Sequence, residues 1–420
     1  MRAYLDHAAT SPMPPEVLDA YTVALRVVGN PASIHGAGQA AREVLESGRD
    51  AVAASIGADP AEIVLTGGGT ESVNLAIKGL FWARAGGLGA GGRAAGAAGV
   101  SRPRPRIILP EAEHHATVDA VDWLAAHEGA VVDRIPVDGL GRIRLDALEA
   151  ALADHPDEIA LVTALWANNE VGTIQPVREL AALAAARGVP LHLDAIAAYG
   201  QLPIDVHGLG VAALSLAAHK IGGPVGVGAL YLARTATVEP LLHGGAQQRA
   251  RSGTQDAAGA AAFGVAAART IGAGEGIGGA GATRLAERAA RMACVRDRLV
   301  TGIRRAVPDA VLRGDPDPAG RLPSNAHFTF PGCEGDALLF LLDVAGFAVS
   351  TGSACAAGVS EPSHVLAAMG VPEDVARGAL RFTVGEETTD AEIDALVAVL
   401  PDVVARARTA GLAARAPLRF

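Results

Sequence analysis

Six short runs in the sequence are apolar almost from end to end: "EIVLT" (62–66), "RIILP" (106–110), "IALVTALW" (159–166), "VPLHLDA" (189–195), "LSLAA" (214–218) and "VGALYL" (227–232). A strand with one wet face alternates apolar and polar residues, so runs without alternation belong to a sheet covered on both faces. Alanine-rich stretches of helical length separate the runs, as the crossovers of a mostly parallel sheet require. Residues 15–260 are therefore predicted to form a large α/β domain. Further on, "TRLAERAARMACVRDRLVTGIRRA" (283–306) spaces Leu285, Met292 and Leu299 seven residues apart, which predicts a long connecting helix. Strands are predicted after it at "NAHFTF" (325–330), "FAVST" (347–351) and "LRFTV" (380–384). Residues 1–14 and 261–420 are expected to build a smaller α+β domain. The stretch "GGLGAGGRAAGAAGVSRPRPR" (86–106) has no apolar period and reads as a mobile surface insertion.

The formal net charge of -10 argues against a general nucleic-acid binder, which concentrates positive charge to neutralise phosphates. Small molecules and other proteins are the expected partners. Much of the hydrophobic content is alanine, and no uncharged stretch of about 20 bulky apolar residues occurs, so no membrane span is expected. Residues Met1 to Thr10 have neither the basic start nor the apolar core of a signal peptide, which predicts a cytoplasmic location. The cysteines, Cys294, Cys333 and Cys355, are odd in number and show no metal-ligand spacing.

The chain has only two lysines, Lys78 and Lys220. A coding preference for arginine explains that rarity, but arginine cannot shed its proton and attack a carbonyl, as a partly buried lysine can. Lys78 lies in the amphipathic stretch "ESVNLAIKGLFWARA", where its ammonium is expected to reach solvent. Lys220 follows an apolar strand and precedes "IGGPVGVG", at the sheet edge where α/β proteins bind ligands. Asp194 closes "VPLHLD". A carboxylate there is either a satisfied structural group or the partner of a pyridinium nitrogen.

The glycine turn "LTGGGTES" (65–72) opens a helix and can hold a phosphate on backbone N–H groups. It lacks the Walker lysine and the dinucleotide pattern. In "EAEHHATVDA" two adjacent histidines point in different directions, which disfavours a shared metal. One of them stacks on an aromatic cofactor, or the pair sits solvated at a capped helix start.

Taken in order, "YLDHAAT", "GNPASIHGAG", "GGGTESVNLAIKG", "EHHATVD", "WANNEVGT", "LDAIAAYGQLPID", "AHKIGGPVGVGALY", "RSGT", "STGSACAAGVSEPSHVL" and "LRFTVG" resemble the cysteine desulfurases of the IscS/NifS type. These lie within the class V aminotransferase group of fold-type I pyridoxal phosphate enzymes. The resemblance covers nearly the whole chain and implies an aspartate aminotransferase-like fold with pyridoxal 5'-phosphate as cofactor. By that resemblance Lys220 carries the cofactor as a Schiff base and moves the substrate's Cα proton, His114 stacks on the ring and Asp194 pairs with its nitrogen. Gly69, Thr70 and His219 bind the phosphate, joined by Thr254 from the other subunit of a homodimer. Asn169, beside the cofactor, and Arg381 hold the substrate carboxylate. Cys355 takes sulfur from L-cysteine as a persulfide, with release of L-alanine. It then passes the sulfur to an acceptor such as an iron-sulfur scaffold or a tRNA-thiolation enzyme. The Ser, Gly and Ala around Cys355 suit a mobile loop. No metal, nucleic acid or membrane partner is implied.

The chain departs from the usual pattern at Ala197, where the family has Gln, at Ala217 in place of Ser, and at Ala218 in place of Gly. The segment "GGAQQRARSGT" before Thr254 is one residue shorter. These departures leave open another lyase or aminotransferase of the same group, or a weakly active member acting as a binding partner in a sulfur-transfer assembly.

Overall fold

A computed structural model describes residues 3–85, 103–271, 279–352 and 362–415. After a short strand β1 (Ala3–Tyr4) come β2 (Ile63–Thr66), β3 (Arg106–Pro110), β4 (Val131–Ile135), β5 (Ile159–Leu165), β6 (Leu191–Asp194), β7 (Ala213–Ala217) and β8 (Gly228–Leu232). Among the described residues, the last seven form one sheet in the order β2-β8-β7-β6-β5-β3-β4, in which only β8 runs antiparallel to its neighbours. The fold is the expected α/β class, and each of the six apolar runs is a strand.

Every residue of β2, β3, β5, β6, β7 and β8 is buried. Successive side chains enter opposite layers: Ile63, Leu65, Ile108, Leu214 and Leu216 join one core, and Val64, Ile107, Leu109, Leu230 and Leu232 the other. Each such side chain contributes about 1.5–3 kcal/mol when fully buried, which is why neither face tolerates polar alternation. The helix Ala257–Ile271 packs Phe263, Ala266 and Ala267 into the first of these cores. Strand β4 escaped the sequence reading because it is the sheet edge, with Val131 and Arg134 exposed.

A second sheet orders β12 (Ala379–Thr383), β10 (Asn325–Thr329) and β9 (Val311–Arg313) with antiparallel pairing. Its core gathers Phe328, Phe382 and Leu400 with Met292 and Leu299 of the helix Ala280–Ala306. Leu285 of the predicted heptad spacing is also buried. The predicted strand 347–351 shrinks to β11 (Phe347–Ala348), which pairs in parallel with β1. Beyond it, Ser350 and Arg381 still exchange both backbone hydrogen bonds.

The chain after β1 runs from this second sheet into the first. Leu5 N–H donates to Ala348 O at 2.8 Å and Thr383 N–H to Leu5 O at 2.8 Å, and Ser11 N–H then reaches His219 O at 2.9 Å. Among the described residues, no helix is long and apolar enough to cross a membrane. The insertion expected at 86–106 falls outside the described residues over 86–102, and Arg106 already belongs to β3. Cys355, within 353–361, also lies outside them.

Candidate active site

The parallel strands β5, β6 and β7 end at Leu165, Asp194 and Ala217, and all three residues line one cavity of about 420 Å³. Such a cavity at the carboxyl edge is where an open parallel sheet exposes strand ends and helix starts together. Lys220 enters it from a single 3-10 turn, Ala218–Ile221, closed by Gly222 with φ of 83°. A Cβ at 222 would stand 2.8 Å from Pro14 Cδ, so only glycine turns the chain here. The Lys220 ammonium donates to Ala8 O and, at 3.0 Å, to Ala9 O. Burial, reinforced by the positive charge of Arg381 and opposed by Asp194 and Asp6, brings its pKa down to about 8. A substantial fraction of this amine is neutral near physiological pH.

Asp194 is 2% exposed, and its Oδ1 accepts the Ile196 N–H at 3.0 Å. Burial raises its pKa to about 6 against the pull of that N–H and of Lys220. A carboxyl held this way gains most from a cationic N–H placed beside it. His114 caps the helix His115–Glu128, its Nδ1 accepting the Ala116 N–H at 3.1 Å. Burial first, then the charge of Lys220, lowers its pKa to about 4, so the ring is neutral. His114 thus caps a helix start and at the same time borders the cavity. His219 faces Thr10 Oγ1 at 3.3 Å and is likewise brought to about 4, chiefly by burial.

Gly69 and Thr70 begin the helix Gly69–Ala85 at the cavity wall. The first N–H groups of a helix have no acceptor within it, so this end suits an anion. A Cβ on Gly69 would lie 2.4 Å from Ile196 Cδ1 and 3.2 Å from Ala217 Cβ, so a larger residue here requires the Ile196 side chain to move.

The far wall comes from β12. Arg381 donates to Asn169 O at 2.9 Å and to Asp6 Oδ1 at 2.9 Å, with its side chain 7% exposed. Its Nε is buried and has no partner among the described residues. Asn169 also lines the cavity, on a turn held by Asn168 Oδ1, which accepts the N–H groups of Glu170 and Val171. A lysine amine, a buried carboxyl, a neutral imidazole, a helix start and a guanidinium with spare donor capacity therefore fit pyridoxal phosphate and an amino-acid carboxylate.

Thr254 is exposed and lines a separate small cleft with Thr66 and Gly67, away from the Lys220 cavity. Ala197 and Ala217 both border the main cavity. Gln201 borders it too, but its amide is engaged with Ala197 O and Ser324 N–H, both at 3.2 Å. Lys78 is not simply solvated: its ammonium lies 4.2 Å from the centre of the Trp123 ring, a cation–π contact. Sequence reasoning missed Asp6 and Glu170, although both stand inside quoted motifs, because nothing local marks a carboxylate as the partner of a distant group.

A lysine and an aspartate at the carboxyl ends of neighbouring strands, facing a helix start, define the class of α/β enzymes that hold pyridoxal phosphate through a lysine. The family pattern described as aminotransferase class-V matches residues 3–396, and the chain belongs to that pyridoxal phosphate-dependent family. It is 49% identical over 413 residues to an IscS-like cysteine desulfurase of Mycobacterium tuberculosis, covering 98% of each chain. A solved NifS-like protein superposes with a TM-score of 0.82 at 31% identity, over 97% of this chain and 100% of that one. A structure of SspA in complex with cysteine gives a TM-score of 0.73 at 27% identity, over 92% and 99% of the two chains.

Proposed function

We propose that this protein is a pyridoxal phosphate-dependent cysteine desulfurase that takes sulfur from L-cysteine and releases L-alanine. The observation that carries the reading is the meeting of Lys220, Asp194, His114 and Arg381 around one cavity. When bound, the cofactor supplies an electron sink at the substrate's Cα. In this reading Lys220 would hold the cofactor covalently, Asp194 would pair with its ring nitrogen, His114 would face its ring, and Gly69, Thr70 and His219 would hold its phosphate. Asn169 and Arg381 fix the substrate carboxylate, the planar guanidinium matching the planar anion. Lys220 then moves the proton at Cα.

Cys355, as thiolate, attacks the substrate sulfur. The S–S bond forms, the Cβ–S bond breaks, and its electron pair takes up a proton at Cβ, which leaves alanine and a persulfide on Cys355. The persulfide passes its sulfur to a thiol of an acceptor protein in the cytoplasm, an iron-sulfur scaffold or a tRNA-thiolation enzyme. The exposure of Thr254, away from its own Lys220, supports a homodimer in which this residue completes the partner's phosphate site. The same reading divides the chain into a cofactor-binding unit, 15–260, and a smaller unit, 1–14 with 261–420, with the helix Ala257–Ile271 crossing the boundary while Phe263, Ala266 and Ala267 still pack in the first core.

The test mixes cofactor-loaded protein with L-cysteine and a reducing thiol and quantifies both products. Wild type is expected to give equal alanine and sulfide, and Cys355→Ser neither, with cofactor absorbance intact in both. Turnover that survives Cys355→Ser moves the reaction to another lyase or aminotransferase chemistry. No alanine from a visibly loaded wild type overturns desulfuration.

A further inference from the structure

Glu170 follows Asn169 on the cavity wall, yet its own side chain turns away into the protein and is only 3% exposed. Its backbone is fixed on both sides, the N–H donating to Asn168 Oδ1 and the carbonyl accepting Asn325 Nδ2, each at 2.9 Å. Its carboxyl group accepts the hydroxyl of Ser363, itself 4% exposed. Ser363 in turn caps the helix His364–Ala368, accepting the Leu366 N–H at 3.1 Å. On the other side stands Gly352, with φ of 85°; a Cβ there would lie 3.7 Å from Glu170 Oε2 and 3.5 Å from His327 Nε2. Gly352 and Ser363 flank the stretch 353–361, which contains Cys355. One buried carboxyl therefore bonds the chain that follows the proposed nucleophile, lies near Gly352 that precedes it, and belongs to the residue next in sequence to Asn169, whose carbonyl holds Arg381.

We propose that Glu170 is a positioning residue for sulfur transfer, anchoring Ser363, which follows the stretch that contains Cys355, to the wall that holds the substrate carboxylate. This rests on the desulfurase reading. Burial raises the Glu170 carboxyl to about 7, against the hydroxyl of Ser363 and the charges of Arg381 and His115, so its role does not demand a full negative charge. What it must supply is a fixed acceptor oxygen, and glutamine can do the same.

The experiment uses the full-length, cofactor-loaded protein with Glu170→Ala, Glu170→Gln and Ser363→Ala. It reads single-turnover persulfide formation on Cys355 by mass, KM for L-cysteine, cofactor absorbance, and amide exchange across residues 362–369. Glu170→Ala is expected to slow persulfide formation at least about 10-fold, with KM within about 2-fold and the cofactor spectrum unchanged. Glu170→Gln should recover to within about 3-fold of wild type, and Ser363→Ala should lose about 3- to 10-fold. Amide exchange should quicken in Glu170→Ala and stay near wild type in Glu170→Gln.

Wild-type rates in Ser363→Ala overturn the proposal, even where Glu170→Ala fails to fold. A rise in KM together with loss of cofactor absorbance also overturns it, since Glu170 would then serve Arg381 or the fold at large. A wild type that makes no alanine refutes the activity itself, while the exchange measurement still decides whether Glu170 holds Ser363.

Discussion

The two walls of the cavity are built from different sheets and carry their charges in different ways. On the seven-stranded side, burial brings Lys220 down to about 8 and Asp194 up to about 6, so both groups change protonation near neutral pH. On the three-stranded side, the planar Arg381 guanidinium is braced by Asp6 and by the carbonyl of Asn169. The first wall is suited to handling protons and covalent bonds, the second to gripping an anion that must stay still while they change. The walls are coupled, because the charge of Arg381 is itself one of the causes that lower Lys220.

The largest break in this contrast comes from Lys220→Arg, which keeps the charge and removes the titratable amine. Alanine formation is expected to fall at least about 1,000-fold, and mass spectrometry after reduction should find no covalently held cofactor. Arg381→Lys tests the other wall. It should raise KM for L-cysteine by about 10- to 100-fold with a smaller change in kcat, because a point charge replaces a two-pronged donor. A fall in kcat at constant KM would erase the division of roles.

The coupling is read from pH. A neutral amine is needed for covalent loading, so the rate at which cofactor-free protein takes up the cofactor should rise about 10-fold between about pH 7 and 9 and level off above the pKa. In Arg381→Ala a depressing charge is gone, so the same curve should move to higher pH; an unmoved curve would mean the walls act independently. The smallest effect is expected from Ala217→Ser, which sets a hydroxyl at the end of β7 near the start of the helix Gly69–Ala85. Cofactor affinity, measured by titration, should improve about 2- to 10-fold.

Parts of this arrangement were legible in the sequence because they are anomalies of composition. Lys220 is one of two lysines, and Asp194 is a charge closing an apolar run, so each stands out without any knowledge of its neighbours. The strands that both layers cover were legible for the same reason, since burial on two faces leaves only apolar residues. Strand β4 was not, because an edge strand carrying Asp133 and Arg134 reads like loop. Nor could the sequence show that Asp6 braces Arg381, a contact spanning 375 positions, or that Glu170 accepts a hydrogen bond from Ser363. Those functions exist only once distant segments are brought together by the fold.

The passage of residues Ala3 to Ser11 between the two sheets carries a consequence for how the protein is made. Ala8 N–H bonds Thr383 Oγ1, 375 positions later, while the carbonyls of Ala8 and Ala9 receive the Lys220 ammonium. Contacts so remote in sequence close late in folding, because the loop entropy must be met before they form. During synthesis the bonds from this segment to Thr383 and Arg381 wait until nearly all of the described chain has left the ribosome, long after Lys220 has emerged. Through this one segment the lysine and the arginine of the two walls become joined only when the chain is nearly made, and a half-made chain has no finished cavity.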